Sequence, residues 1–381
     1  MNSGLKRKIY CSMISEDRIR LKKSFKKRRN GVFQWVPGSP LLTLASVFLC
    51  GFALLSCGKQ PSSTDRALTL SGLTMGTYYR VTLASLPDTV SEELLQASIS
   101  THLERINSLM STYISDSEVS RFNRSGGTNW FPVSVDTATV VADAIQIFEL
   151  SGGAFDITVS PLVNLWGFGP PERNNQIPSQ SSIEKTLNKI GSQHLRARLS
   201  PPALKKNSGD LQIDLSGIAK GFAVDSVAES LEALEITNYL VNIGGEMLAS
   251  GQKEDASFWR VAIESPTANQ IGIQRVLELR DLAIATSGDY RNYFEVDNRS
   301  YSHEIDPRTG RPIQHQLVSV SVLDVSCRRA DAWATALIIL GPNKGRQLAE
   351  SANLAAFFIV RGDDGFLEME SPGFNRLSSL P

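Results

Sequence analysis

The sequence predicts a mixed α+β protein in which helices and strands are interleaved along the chain. Two kinds of periodicity support this prediction, because apolar residues recur at helical spacing in some segments and alternate at strand spacing in others. Short strand-like segments also follow one another closely in the second half of the chain, as they do in hairpins. With 381 residues, of which 41% are hydrophobic, the chain can bury the core of one large domain or of two coupled lobes.

The first 56 residues are predicted to be a lipoprotein signal peptide. A basic run over residues 22–29 precedes an apolar stretch from Leu41 to Leu55, which is shorter than the roughly 20 residues that a membrane-spanning helix requires. The stretch runs into Ser56-Cys57 and resembles a lipobox, so we expect Cys57 to carry the lipid anchor after cleavage. The alternative is an uncleaved N-terminal anchor in which Cys57 has no role.

Charge is distributed unevenly between this predicted signal and the rest of the chain. Residues 1–57 hold eleven of the 39 Lys and Arg residues but only two of the 39 Asp and Glu residues. The remainder is predicted to be a lipid-anchored tether over residues 57–67 and a folded domain over residues 68–381, and it is acidic overall. An acidic domain is a poor candidate for nucleic-acid binding, and we expect no nucleic-acid partner.

The folded domain is predicted to begin with strand structure followed by two helices. Polar and apolar residues alternate over residues 67–83, on both sides of Met75-Gly76-Thr77. One helix is predicted from Ser91 to Met110 and a second from Thr137 to Ser151, where Gly152-Gly153 ends it. The later predicted helices cover residues 182–189, 220–234 and 331–340, and the later strands cover residues 211–215, 239–243, 259–264, 276–279, 283–286, 293–296, 317–323 and 355–360.

Several glycine-rich segments are candidates for ligand contact. In Gly153-Ala154-Phe155-Asp156, glycine beside an aromatic residue suits close approach to a flat ligand, although an aromatic-rich turn in the core has the same pattern. In Asp214-Leu215-Ser216-Gly217, a turn leads into a helix whose first N–H groups could bind a phosphate, with Lys220 adding charge. A plain strand–helix turn is the alternative there, and a plain turn is also the alternative for Gly244-Gly245-Glu246.

Two further groups of residues are candidates for chemistry. His303, in the loop Ser302-His303-Glu304, could act as a general base near neutral pH, or it could be structural. Asp331 and Thr335 are four residues apart in a predicted helix, so they share one face, and their oxygens are hard ligands suited to Mg²⁺ beside substrate phosphates. The alternative is an acid favoured by the helix dipole, with Thr335 simply packed.

Taken together, these segments resemble the ApbE family of FAD:protein FMN transferases, in the same order and over about Thr74 to Ile359. The resemblance is carried by the segments MGTYY, STYISDSEVSRFN, GGAFDITVSPLVNLWGFGP, IDLSGIAKGFAVD, VNIGGE, ATSGDYRNYF, YSHEIDPRTGRPI and ADAWATAL. It implies an ApbE-like fold with two closely packed lobes around a flavin cleft. It also implies that the export signal serves a lipoprotein on the periplasmic face of the inner membrane.

The resemblance also implies roles for individual residues. The positions that would contact FAD are Met75, Tyr113, Ala154, Phe155, Asp156, Asp214, Lys220 and Ile305. Those that would hold Mg²⁺ are the Gly217 carbonyl, Asp331 and Thr335, while His303 would help to deprotonate an acceptor hydroxyl. Glu246 departs from the pattern, since many relatives carry Asp there.

The activity implied by the resemblance is Mg²⁺-dependent transfer of FMN from FAD to a Thr or Ser hydroxyl of another protein, with release of AMP. Subunits of membrane redox complexes would be the acceptors. Two alternatives use the same residues. One is a Mg²⁺-dependent FAD pyrophosphatase that yields FMN and AMP, and the other is a non-enzymatic periplasmic lipoprotein that binds FAD.

Overall fold

A large antiparallel sheet and the helices packed on it organise the chain. The computed structural model describes residues 67–169, 176–267, 272–289, 292–296 and 299–378. The predicted signal peptide, Cys57 and most of the tether lie outside these residues. The strands are β1 Leu68–Thr74, β2 Thr77–Leu83, β3 Phe131–Pro132, β4 Leu195–Leu199, β5 Pro202–Lys206, β6 Tyr239–Ile243, β7 Glu246–Ser250, β8 Trp259–Glu264, β9 Ile273–Leu279, β10 Leu282–Gly288, β11 Tyr293–Val296, β12 Arg299–Ser302, β13 Ile305–Asp306, β14 Arg311–Pro312, β15 Leu317–Asp324, β16 Ala355–Gly362 and β17 Gly365–Glu370. The helices are α1 Glu92–Met110, α2 Glu118–Arg124, α3 Val135–Leu150, α4 Ser160–Leu165, α5 Gln180–Leu187, α6 Ser216–Ala233, α7 Cys327–Ser351 and α8 Pro372–Ser378.

Within the described ranges, eight strands form the main sheet in the order β1-β2-β6-β7-β10-β15-β16-β17. Every neighbouring pair in it is antiparallel. β1 and β2 are joined by Met75-Gly76, both at positive φ (50° and 72°), which is the two-residue turn whose twist matches that of the flanking strands. The single strand region predicted over residues 67–83 is therefore a tight hairpin.

The main sheet buries both of its faces. Successive residues of β10 show this, because Ala283 and Ala285 belong to one hydrophobic cluster while Leu282 and Ile284 belong to another. The first and larger cluster contains the buried faces of α1, α3, α6 and α7. The second cluster contains Trp259 of the β8–β9 hairpin and Phe374 of α8. Residues of both clusters, among them Phe155 and Ile284, also line a cleft at this sheet.

Helix α7 bends at Gly341-Pro342, and a histidine side chain compensates for the bend. Gly341 has φ 77° and ψ 178°, outside the helical region. Pro342 has no N–H to donate to the carbonyl of Ile338 one turn earlier. The Nε2–H of His315 donates to that carbonyl instead, at 2.8 Å. The prediction of a helix ending at Leu340 therefore marked a real break, after which the helix resumes.

The strand predicted over residues 211–215 is wrong. In this segment Ile213 pairs with the side chain of Asn123 rather than with a neighbouring strand. The Ile213 N–H donates to Asn123 Oδ1, and Asn123 Nδ2 donates to the Ile213 carbonyl, both at 2.8 Å. An amide side chain can mimic one step of a strand ladder, so Ile213 is buried without joining a sheet.

The predicted mixed α+β class is confirmed. Helix α1 begins at the Ser91 cap, whose hydroxyl accepts the Leu94 N–H, and it ends at Met110 as predicted. The folded domain forms one compact unit, Ser63–Pro381, and no division into two lobes is seen within its described residues. Among the described helices, none combines the length and the apolar character that crossing a membrane would need.

Candidate functional site

A cleft of about 810 Å³ brings together almost all of the residues singled out in the sequence. This volume lies within the range of small-molecule binding sites, roughly 300–1,000 Å³. Its lining includes the predicted site residues Tyr113, Ala154, Phe155, Asp156, Asp214, Gly217, Lys220, His303, Ile305, Asp331 and Thr335. Met75 is the exception among the described residues, since it sits in the β1–β2 turn and packs against the larger cluster.

The three predicted metal ligands meet where α6 and α7 begin. A side chain on Gly217 would have its first carbon only 3.3 Å from Thr335 Oγ1, so the two residues are in contact. Asp331 Oδ2 accepts the Gly221 N–H at 2.9 Å, which places the carboxylate against the second turn of α6. In a regular helix that N–H points toward the Gly217 carbonyl, so the carboxylate and this carbonyl lie side by side.

The Asp331 carboxylate is suited to binding a cation because it is almost completely buried. Its residue is 4% exposed, and burial raises the pKa of its carboxyl above the usual value, with Lys220 opposing the rise. A buried carboxylate of this kind gains free energy from a cation that compensates for its lost hydration. Oδ2 is occupied by the Gly221 N–H, which leaves Oδ1 for a ligand in the cleft.

Lys220 is held in place by a buried carboxylate, a pairing that the sequence did not predict. Its ammonium group forms an ion pair with Glu246 Oε1, and Glu246 is 2% exposed. Burial lowers the pKa of Lys220, but the carboxylates of Glu246 and Asp331 outweigh this effect and raise it above the usual value. Lys220 is therefore a fixed cation in the cleft, and the Gly244 turn packs against its stem.

A second contact from α6 fixes the start of α7. Asp225 Oδ1 accepts the Cys327 N–H at 2.7 Å, and its Oδ2 accepts the Ser326 hydroxyl at 2.8 Å and the Arg328 N–H at 3.2 Å. Asp225 thus caps α7 from another helix, in place of a side-chain cap within the segment. Together with the Gly221–Asp331 contact, this cap sets the position of Asp331 and Thr335 relative to Gly217.

The Asp225 cap predicts a pH-dependent stability. Burial raises the pKa of Asp225 from 3.8 to about 6 in the folded protein, so the fold binds this proton more tightly than the unfolded chain does. The associated stability is present below about pH 4 and is lost as the pH rises through about 6. The wild type loses this stability as the pH rises from about 4 to above 6, whereas Asp225→Asn has no carboxyl to titrate there. The free energy of unfolding of Asp225→Asn minus that of the wild type should therefore increase over this range by on the order of 2–3 kcal/mol. Denaturant titrations of both proteins across this range test it, and a constant difference would contradict it.

The loop that follows α3 presents one wall of the cleft. Phe155 is buried and touches the position of Gly217. The Asp156 carboxylate accepts from the N–H and hydroxyl of Thr158 and from the N–H and hydroxyl of Ser192, so it is saturated. The Asp156 side chain therefore has a structural role in the wall. Asp214 lies at the start of α6, where its Oδ1 accepts the Ser216 N–H.

An aromatic residue stands at the mouth of the cleft. Tyr113 lies in the loop between α1 and α2, is 73% exposed and lines the cleft. A large ring this exposed gains free energy when a flat ligand covers it. Tyr78, Arg80 and Thr82 of β2 also line the cleft, while Tyr79, Val81 and Leu83 are buried. The alternation of residues along β2 in the sequence is the signal that identifies this strand as a wall of the cleft.

His303 is held in one orientation. Its Nδ1 lies 3.0 Å from the carbonyl oxygen of Asn292, and since a carbonyl only accepts, Nδ1 carries the proton. In neutral histidine Nε2 is then the basic atom, and it lies 3.6 Å from Glu304 Oε1. Burial raises the pKa of Glu304. The Phe168 ring packs edge-on against the imidazole, with ring centres 6.3 Å apart.

The chain is similar to known proteins over most of its length. The model of the ApbE family matches residues 75–358. A FAD:protein FMN transferase of Vibrio cholerae serotype O1 is 45% identical over 334 residues, which cover 88% of this chain and 97% of that protein. The solved structure of the flavin transferase ApbE from Vibrio cholerae has a TM-score of 0.76 at 44% identity, over 82% of this chain and 99% of that chain. The apo form of the flavinyl transferase ApbE from Pseudomonas stutzeri has the same TM-score at 41% identity, over 83% and 98%. A family match over this much of the chain, supported by relatives at this identity, shows that the chain belongs to the ApbE family.

Proposed function

We propose that this chain is a transferase that moves the FMN part of FAD onto a Ser or Thr hydroxyl of an acceptor protein. The observation that carries the proposal is a single cleft in which a fixed cation, an oxygen-ligand group and an oriented histidine meet. Relatives at 40–45% identity named FAD:protein FMN transferase support it. In the reaction, the acceptor oxygen bonds to the FMN phosphorus, the P–O bond to the AMP phosphate breaks, and the hydroxyl proton leaves.

The residues at the start of α6 and α7 fit a divalent cation. Asp331, Thr335 and the Gly217 carbonyl offer hard oxygens, the type of ligand that Mg²⁺ prefers, where α6 packs against α7. They include one carboxylate, so the set suits an ion that also binds substrate phosphates. When bound, Mg²⁺ would neutralise charge on the pyrophosphate and on the departing AMP.

The protein groups around the metal ligands give the substrate its orientation. Lys220, pinned by Glu246, places a positive charge beside the first turn of α6, where helix N–H groups also attract a phosphate. Tyr113 offers a ring face to the isoalloxazine at the mouth. His303 accepts the hydroxyl proton at Nε2, while Asn292 holds Nδ1–H.

Replacing His303 by glutamine should lower the rate of FMN transfer by about 10²-fold, because the basic nitrogen is lost. FAD affinity should change by less than about threefold, since the proposed role is proton transfer and not FAD binding. Flavin fluorescence gives the affinity, and acceptor labelling gives the rate. Equal losses of both would place His303 in FAD binding instead.

Replacing Tyr113 by alanine should weaken FAD binding by about tenfold or more, since a stacked aromatic ring contributes on the order of 1–3 kcal/mol. Tyr113→Phe keeps the ring and should bind FAD almost as wild type does. Because Tyr113 is so exposed, neither change should alter the unfolding midpoint. Unchanged FAD affinity in the alanine variant would reject the stacking role.

We also place the enzyme on the periplasmic face of the inner membrane, anchored through lipid on Cys57. Its acceptors are then subunits of membrane redox complexes. The support for this is the basic run, the apolar stretch and the lipobox-like end of the N-terminal segment. Labelling of the full chain with a fatty-acid analogue, with Cys57→Ser as the control, tests the anchor.

Co-expression with candidate acceptor subunits tests the activity itself. A fluorescent acceptor band in a denaturing gel, whose mass increases by that of FMN, is the expected result. FMN and AMP released equally with and without acceptor would identify a FAD pyrophosphatase. FAD binding without AMP release in Mg²⁺ would identify a carrier.

A further inference from the structure

The β8–β9 hairpin leaves one long side of β8 without a strand neighbour among the described residues. β8 pairs with β9 from Trp259↔Leu279 to Glu264↔Ile273, and these two strands form a sheet of their own. Trp259, Val261 and Ile263 are buried in the second cluster and hold the hairpin on the main sheet. The edge of β8 therefore has a defined position on the main sheet.

This edge runs along the cleft. Five consecutive residues of β8, from Arg260 to Glu264, line it. A strand that turns one face to a cavity contributes every second residue, because successive side chains point to opposite faces. A consecutive run means that the backbone edge itself borders the cleft.

The direction of the backbone groups follows from one hydrogen bond. The N–H of Ser265, just beyond β8, donates to the Gly272 carbonyl at 2.9 Å, toward the β9 side. Successive residues of a strand direct their backbone groups to alternate sides, so Arg260 and Ala262 direct theirs away from β9. Within the ranges that the structure describes, the backbone N–H and carbonyl groups of these two residues have no backbone partner. Unpaired strand groups of this kind are a template for an added strand.

We propose that this edge of β8 docks an extended segment of the acceptor protein as an added strand, which delivers its Ser or Thr hydroxyl to His303. The inference rests on the proposed function, which requires a protein side chain to enter the cleft. The acceptor is the expected occupant because β8 lines the same cleft as His303 and Asp331, so a strand bound along β8 lies beside the reacting groups. Backbone pairing gives affinity with little demand on sequence, while a side chain pointing into the cleft supplies the hydroxyl.

Ala262→Pro tests this docking. It removes an N–H that faces away from β9, so the β8–β9 ladder stays intact, and proline is tolerated on a free strand edge. The acceptor domain that becomes fluorescent on co-expression is the probe. The KM for this acceptor should rise at least about tenfold while FAD affinity stays within about twofold. The control Ala262→Ser keeps the N–H and should behave as wild type does.

The outcomes separate the two proposals. An unchanged acceptor KM in Ala262→Pro would overturn the docking while transfer by the wild type still supports the proposed function. A parallel loss of FAD affinity would also overturn it, since the edge would then belong to the FAD site. If the wild type transfers FMN to no acceptor, the proposed function itself fails.

Hydrogen exchange gives a second test that does not depend on the folding of a variant. Adding the acceptor domain to FAD-loaded wild type should slow exchange several-fold in the peptide covering residues 259–265. The strand β17, at the edge of the main sheet, should show no change and serves as the control. Unchanged exchange in residues 259–265, or protection that grows with enzyme concentration alone, would reject acceptor docking.

Discussion

Replacing Asp331 by asparagine should reduce FMN transfer by at least about 10²–10³-fold, the cost of removing one group that stabilises charge in a transition state. The variant keeps the size of the side chain and an oxygen that can accept the Gly221 N–H. What it loses is the negative charge, and with it the affinity for a divalent cation. The Mg²⁺ concentration for half-maximal transfer, measured at saturating FAD, should rise steeply or become unmeasurable.

The same variant separates a functional role from a structural one. Asp331 is 4% exposed, and burial disfavours its charged form, as its raised pKa shows. Without metal, the neutral amide should leave the unfolding midpoint unchanged or raise it. Thermal melts of metal-free protein compare the unfolding midpoint of this variant with that of the wild type. Thr335→Val, at a second proposed metal ligand, is measured in the same way. A strong loss of stability together with normal transfer would contradict the metal site.

Local patterns predicted much of the fold because their physical causes are local. Ser91 caps α1 through its own hydroxyl, and the strict alternation in β2 follows from one buried face and one face at the cleft. The Asp331 and Thr335 pair was placed correctly on one face of α7, since helical geometry alone determines it. These elements would form in the same way in many folds.

The errors arise where a distant residue determines the local structure. Helix α7 begins at Cys327, four residues before the predicted start, because Asp225 of α6 supplies its cap. Residues 211–215 are not a strand because the Asn123 side chain satisfies the backbone of Ile213. In the same way, the sequence identifies Glu246 only as the end of a candidate glycine turn and as a departure from the family pattern, and the fold shows it as the buried partner of Lys220. Each cause lies outside the segment it affects, so no sequence window contains it.

Replacing Gly221 by alanine should both destabilise the protein and impair metal-dependent transfer, although Gly221 would touch neither metal nor FAD. An added methyl carbon would lie 2.3 Å from the Cys327 carbonyl oxygen and 2.6 Å from Arg328 Cα. Both are backbone atoms at the start of α7, so the helices must separate. We expect a loss of about 1–3 kcal/mol in the free energy of unfolding, as in overpacked cores.

The separation should also disturb the ligand set, because the Gly221 N–H that binds Asp331 moves with the backbone. The Mg²⁺ requirement for transfer should therefore increase by about tenfold or more, even at temperatures where the variant is folded. Gly127→Ala is the matched control, since an added carbon there meets nothing within 4 Å. If Gly221→Ala lost stability but kept the wild-type Mg²⁺ dependence, the helix contact would support the fold without positioning Asp331. Asp225 and Gly221 lie one turn apart on α6, and both contact the start of α7. If Gly221→Ala and Asp225→Asn both changed the Mg²⁺ dependence of transfer, this face of α6 would be what positions Asp331.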